Sequence, residues 1–525
     1  MGSLGSEKFP TAMKFSGGVV RAEALYQTTR CAMSGTRFAS VMENMNLYRV
    51  VLSVAVVVCF AVGSSAEGLQ PEGWDANLKL AEAEDTNPDP KIVEISLEAR
   101  VSSLEIVPGV KTDAWTYNGG VPGPLIRVHR GDRLIVHFSN RLPHSTTVHW
   151  HGVQVPIEMD GVPGVSQPPV ETGGSFTYDF VVPDAGLFWY HPHVMSAAQV
   201  GFGLYGALLV EDPSENLGIP DQLVMVLSDI AIEDKTGELH SPDSGGVLGA
   251  LFGREGNHVL VNGRIRPTLS IRSGAPQRWR IVNSAKSRYF QLQLDNQQPF
   301  QLIGVDGGHL EYSVEKPLIV LAPGERVDVL IAPQVEAGKP LTLINIPFDR
   351  GFGSVEYRSS DDLIEFTGSS LPPVQAAVLP KVTRDIPVLS AEGAKPVSIE
   401  LITTNEHGVT AFDIKGGPFW KGTSIAASLG DMQLWTITNK AIWAHPIHLH
   451  GFFFQEVDDK GVPVSPRAWK DTIHVPADST RRFLVKLDRP GSWMYHCHIL
   501  DHAEAGLMST VDVGNTETTA LHHQH

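Results

Sequence analysis

The sequence predicts an all-β chain of three consecutive β-sandwich domains, and three observations carry that prediction. The first is composition: 525 residues with 50 Gly and 36 Pro, and no low-complexity tract, suit many short strands and turns better than long helices. The second is patterning. From Lys91 onward, strand-length apolar runs such as Arg133–Phe138 and Arg326–Ile331 are broken by Gly, Pro, Asn and Asp, with no long amphipathic helix. The third is an internal repeat. Asn118–Gly131 leads to a strand ending at Asn140, Asn262–Gly274 to one ending at Asn283, and a third copy near Gly430-Asp431 to one ending at Asn439. The terminal Asn residues are 143 and 156 positions apart, the length of one sandwich domain each.

In chain order, residues 1–66 read as an over-extended start followed by a signal peptide. Arg49 precedes an apolar run, Val50–Val62, and Ser64 and Ala66 suit signal peptidase, so cleavage is expected after Ala66. Thirteen residues are too few to span a bilayer, so no stable membrane anchor is expected. Residues 67–90 read as a polar, flexible lead-in. The domains follow at 91–212, 217–372 and 396–514, with a Pro-rich linker at 373–395 and a tail at 515–525 whose His522-His523-x-His525 reads as a disordered end.

The whole chain carries a net charge of −17. Six basic and three acidic residues precede Glu67, so the processed chain would carry −20, a poor match for nucleic acid. Two of the three cysteines, Cys31 and Cys59, fall in the leader and leave Cys497 alone. An exported chain with one thiol has no internal disulfide, and that thiol is either a buried structural Cys or a metal thiolate. Its neighbours favour the metal.

Those neighbours form His496-Cys497-His498, followed by His502. On extended backbone His496 and His498 face one way and Cys497 the other, so one strand can serve two sites. Cys497, His502 and one further imidazole would complete a His₂Cys blue-copper set. The repeat supplies more His residues. Nine and eleven residues past the first and third Asn anchors stand His149 and His151, and His448 and His450; past the second stand Leu292 and Leu294. In a second register, Gly186-Leu-Phe-Trp-Tyr-His191-Pro-His193 aligns with Gly491-Ser-Trp-Met-Tyr-His496-Cys-His498. The outer domains thus carry four His-x-His pairs, an all-nitrogen set suited to copper at a domain interface. His129, His137, His144, His240, His258, His309, His407 and His474 lie outside this register and read as ordinary strand or loop residues.

His-Trp-His-Gly, His-Pro-His, His445-Pro-Ile-His-Leu-His-Gly451 and His-Cys-His-x3-His, in that order, resemble the four copper motifs of three-domain multicopper oxidases, specifically laccase-like ones of bacterial type. The resemblance covers roughly residues 91–514. It implies three cupredoxin-like Greek-key sandwiches and four coppers. His445, Cys497 and His502 would be type 1 ligands, and His149 and His448 the type 2 pair. His151, His191 and His498 would hold one type 3 copper, and His193, His450 and His496 the other. The middle domain would be a copper-free spacer. Electrons from a reductant would enter at type 1, cross Cys497 and reduce dioxygen to water at the cluster.

Asp160, in Glu158-Met-Asp160-Gly, resembles a family carboxylate near the cluster and is the candidate proton relay or water orienter; a plain turn Asp before Gly is the alternative. Glu504 is a weaker candidate, and the carboxylate that some relatives place after the type 1 His is Ala503 here. The family's axial position falls on Leu507, and a one-residue bulge would install Met508 instead. The expected reductant is a phenol or aromatic amine. A periplasmic cuprous-ion oxidase is the alternative, disfavoured because only six Met follow the leader and none cluster. A copper-free structural or binding relative is a third, though none of the eleven ligand positions is lost. Export to the periplasm or beyond is expected.

Overall fold

The computed structural model describes residues 68–514 except 352–357, 376–377, 407–408, 415–421 and 423, and these fall in one compact unit. The expected leader, His407 and the tail lie outside the described residues. Among those residues no helix is long and apolar enough to cross a membrane. Among the described residues there are three short α-helices: α1 (Ser196–Gly201), α2 (Gly246–Phe252) and α3 (Leu500–Glu504).

Apart from one 3-10 turn, Ile157–Met159, the other regular elements among the described residues are strands, arranged as six sheets, two in each third of the described chain. Each third repeats one parallel pairing: Ile92–Leu104 with Arg133–Asn140, Gln222–Ile230 with Gln277–Asn283, and Lys395–Glu406 with Asp431–Asn439. The second strand of each pair ends on the Asn that the repeat picked out.

The reason those Asn recur is a hydrogen-bond pattern. Each Asn is fully buried. Its side-chain oxygen accepts from the backbone two residues on, at Leu142, Ala285 and Ala441. Its amide donates to a carbonyl four or five residues on and to another about thirty or more residues away: His144 and Val170, Arg288 and Leu321, Trp443 and Val475. One buried amide so ties the strand's exit turn to the opposite sheet, and a buried polar group in this position must be paired. The turns that open the first two copies also follow from sequence. Asn118-Gly119 and Asn262-Gly263 both take positive φ, as two-residue hairpin turns of the Asn-Gly type require.

Between the sheets lie three separate apolar cores. Trp150, Tyr178 and Phe188 anchor the first, Trp279, Phe300 and Phe366 the second, and Trp435, Phe454 and Trp493 the third. Leu292 and Leu294, which occupy the imidazole register in the middle third, are buried in that second core. A further cluster, including Leu187, Trp189, Val226, Val282 and Leu500, joins residues from all three thirds.

One expectation needs correction. Residues 68–90 are not a free lead-in but are pinned along the second and first sheets' edges. Asp221 accepts from the backbone of Leu69 and Gln70, Asn262 donates to the Leu78 carbonyl, and Ala81 and Ala83 exchange hydrogen bonds with Leu125. Leu78 is buried in the middle core. Scattered polar residues hid a few apolar anchors that suffice to dock the segment.

Candidate metal centres

Two strands place the first group of imidazoles. His149–His151 pairs antiparallel with Gly186–His191, bringing His149 opposite His191. In the last third, His445–Leu449 pairs with Gly491–Cys497, which sets His448 opposite His496 and Ile447 opposite Cys497. Strand alternation then does what the sequence requires: His448, His450, His496 and His498 turn toward the first third, while Cys497 turns into the last core.

There Cys497 meets His445 and His502. Sγ lies 3.4 Å from His445 Nδ1 and 3.6 Å from His502 Nδ1, and the two nitrogens are 3.2 Å apart. Three donors in a triangle of this size can each reach one central ion at about 2 Å, the usual metal–nitrogen distance. The His502 ring is fixed by its other nitrogen, which donates to the Leu251 carbonyl in α2 at 3.1 Å. One step past the end of the paired register, the Cys497 N–H donates to the carbonyl of Leu507, which is fully buried. Met508 pairs with His496 and so points to the other face. Leu507 rather than Met508 would therefore face the Cys497 side, and the ladder between these strands runs without a bulge.

The other eight imidazoles form a single cage. All are buried except His193, which is nearly so. His193, His450 and His496 bring donor atoms together, as do His149, His448 and His450, and His149, His151 and His191. His498 completes the cage, its ring centroid 4.9 Å from that of His151 and 5.5 Å from that of His191. In six rings one nitrogen is held from outside. His149 bonds the Asp160 carbonyl, His191 that of Pro192, His448 that of Asp471 and His496 that of Cys497, while His450 and His151 bond the carboxylates of Asp160 and Asp471. The inward nitrogens of His149, His151, His191, His193, His448 and His498 have no hydrogen-bond partner. Orphaned nitrogens on six neighbouring rings would be costly in a core, and a metal cluster would satisfy them.

Electrostatics agree. Burial, reinforced by neighbouring imidazoles, pulls His151, His191, His193, His445, His496 and His498 well below the usual histidine range and His450 down to about 3, while burial and the nearby Arg350 charge bring His502 down to about 3. They are held neutral, the form that ligates metal. Burial pushes the Cys497 thiol far up, so its thiolate needs a cation to form. Asp160 is buried, yet His450 and His149 hold it strongly ionised against that burial.

Every predicted ligand thus lies in one of two clusters, and Asp160 touches the cage. Glu504 does not: it accepts from Ala197 and ties α3 to α1. Of the other described His residues, His137 pairs with Glu94 and His258 with Asp234, while His474 meets the Tyr289 hydroxyl. Sequence reasoning missed Asp471, which lies within donor distance of His151 and His448. Its only signal was a charge directly before the strand Thr472–Val475.

Cupredoxin-like sandwiches that present a Cys–His₂ set and a cage of eight imidazoles define a copper-dependent oxidoreductase. Multicopper oxidase family models match residues 99–215, 221–339 and 394–517. A multicopper oxidase of Mycobacterium tuberculosis is 30% identical over 441 residues, covering 76% of this chain and 82% of its own. The laccase of Bacillus subtilis is 27% identical, covering 77% and 90%. Among solved structures, the multicopper oxidase of Pseudomonas thermotolerans is 32% identical with TM-score 0.69, covering 81% and 99%, and that of Campylobacter jejuni, described as a metallo-oxidase, is 29% identical with TM-score 0.73, covering 83% and 94%. The chain belongs to the multicopper oxidase family. That family implies four coppers, one type 1, one type 2 and two type 3, together with a small-molecule reductant and dioxygen. The two donor clusters fit that complement.

Proposed function

We propose that the chain is a laccase-type oxidase that takes electrons from a phenol or aromatic amine and passes them to dioxygen. His445, Cys497 and His502 would hold type 1, His149 and His448 type 2, and two sets, His151/His191/His498 and His193/His450/His496, the type 3 pair. The coppers supply one-electron acceptance at the first centre and four-electron reduction of dioxygen to water at the cluster. The chain's own part is geometric. Cys497 is bonded through backbone to both His496 and His498, so the two centres share a short covalent bridge. Asp160 holds the outer nitrogens of His149 and His450. Leu251 holds His502.

The observation that supports an organic reductant is the cavity beside α2, the helix whose Leu251 carbonyl holds His502. It has a volume of about 880 Å³, within the range of small-molecule sites, and α2 forms part of its wall. Phe252, Tyr289 and Phe348 line it with Arg254, Arg288 and Arg350, and among the described residues no Met or Cys does. Soft thioethers are what a Cu(I) site would recruit. Phe252 packs edge-on against Trp443, whose ring lies 6.5 Å from that of His502. Export is supported by the leader-like run before Ala66 and by the lone thiol.

Oxygen uptake by the copper-loaded chain tests this. A substituted phenol should be oxidised at least tenfold more efficiently, in kcat/KM, than Cu(I). A preference for Cu(I) would replace this reading with a cuprous-ion oxidase.

A further inference from the structure

We propose that Arg326, from the copper-free middle third, is a positioning residue for the imidazole cage, acting through Asp471. The family's copper motifs lie in the outer thirds, and the sequence makes the middle one a spacer. Its residues nevertheless reach the cage.

Arg326 opens the strand Arg326–Ile331 and is 2% exposed. All five of its guanidinium N–H donors are used, and they reach all three thirds of the chain. Nε donates to the Leu187 carbonyl, on the strand that carries His191. Nη1 donates to the Gly324 carbonyl and Nη2 to that of Asp306, both in the middle third. The remaining two donate as a fork to Asp471, at 2.7 Å to Oδ1 and 2.5 Å to Oδ2. A planar fork matches a carboxylate in a way an ammonium cannot.

Asp471 so fixed does two things. Its Oδ1 lies 3.2 Å from Nε2 of His151, while the other nitrogen of that ring faces the cage unpartnered. Nε2 therefore carries the proton and Nδ1 is the donor to metal. The Asp471 carbonyl lies 3.0 Å from Nδ1 of His448, leaving Nε2 of that ring facing inward. The two rings, one from the first third and one from the last, stack at 3.7 Å with 14° between their planes. One carboxylate residue thus sets the tautomer of two ligands from opposite sides of the interface, and Arg326 sets the carboxylate.

The turn before Arg326 closes the same wall. Gly324 takes φ +90°, and a β-carbon there would meet the His498 and His151 rings at 2.9–3.0 Å. The contact leaves no space for a side chain between the middle third and these ligands. Asp306 and Lys470 extend the network: Asp306 accepts from the Arg326 backbone, and Lys470 pairs with Asp306 and Glu325.

The inference rests on the reading that these imidazoles hold copper, so the wild-type chain is the control. Copper per chain, the blue absorption band and the type 2 electron-paramagnetic signal should be measured in wild type, Arg326→Lys and Arg326→Gln, with melting followed in each. Removing an outer partner of a metal ligand weakens metal binding about 10–100-fold. Arg326→Gln should therefore lose copper from the cage and the type 2 signal while keeping the blue band, and Arg326→Lys should fall between. Wild-type copper content and type 2 signal in both variants would overturn the assignment. So would equal loss from both centres, which would make Arg326 a folding residue only. A wild-type chain that binds no copper would instead remove the ligand reading itself.

Discussion

A buried imidazole stays neutral because no water is available to solvate its charge, and ten of this chain's imidazoles sit at the two centres under that constraint. The pH consequence has a definite sign. His450 and His502 have folded values near 3, against 6.5 for an exposed histidine. Below pH 6.5 the unfolded chain therefore binds protons that the folded chain refuses. Stability is fully present above pH 6.5 and is lost as pH falls toward 3, by up to about 1.4 kcal/mol per pH unit for each such ring. Thermal melting of the copper-free chain between pH 7 and pH 4 should show a steep fall, made shallower by His502→Gln. A melting temperature flat across that window would contradict the burial of these rings. Cys497 belongs to the same logic: burial disfavours its anion, so sulfur and cation must arrive together.

At the scale of elements, a short strand delivers two ligands to one face, and the turns beside it decide how well they are held. The 3-10 turn Ile157–Met159 ends on Asp160, whose carbonyl engages His149 of the same third and whose carboxylate engages His450 of the last. One turn thereby staples strands from two sandwiches. Asp160→Asn keeps the shape but removes the charge, and turnover should drop about 10–100-fold with an altered pH profile; steady-state kinetics against pH would reveal it. Unchanged turnover and profile would reduce Asp160 to a turn residue. This element was half legible: Met-Asp-Gly marked the position, but not which atoms it would hold. The Asn anchors were wholly legible, because the repeat spacing reflects one hydrogen-bond pattern used three times. Leu507 was named from the family's spacing past Cys497, and strand alternation set it apart from Met508. Residues 68–90 were not, since a few side chains such as Leu78 dock a segment whose composition is otherwise that of a loop.

Across the whole molecule, eleven donors were readable because each lies in a local motif tied to strand period, and periodicity survives folding unchanged. Arg326 and Asp471 were not readable. They are 145 residues apart in sequence and meet only when all three thirds assemble. The carbonyl of Leu251 carries no side-chain signature at all, yet it holds the His502 ring from the middle third. Long-range second contacts of this kind depend on tertiary placement, which a motif does not encode. They also change the standing of the middle sandwich, which carries no ligand but touches both centres.

The most direct test is copper content with the absorption spectrum of wild type and Cys497→Ser. We expect four coppers and an intense blue band in wild type. In the variant we expect three coppers, no blue band, and no oxygen uptake with a phenol although dioxygen still reoxidises a chemically reduced cluster. A Cys497→Ser chain that keeps its blue band and its fourth copper would show that the lone sulfur does not join the two centres.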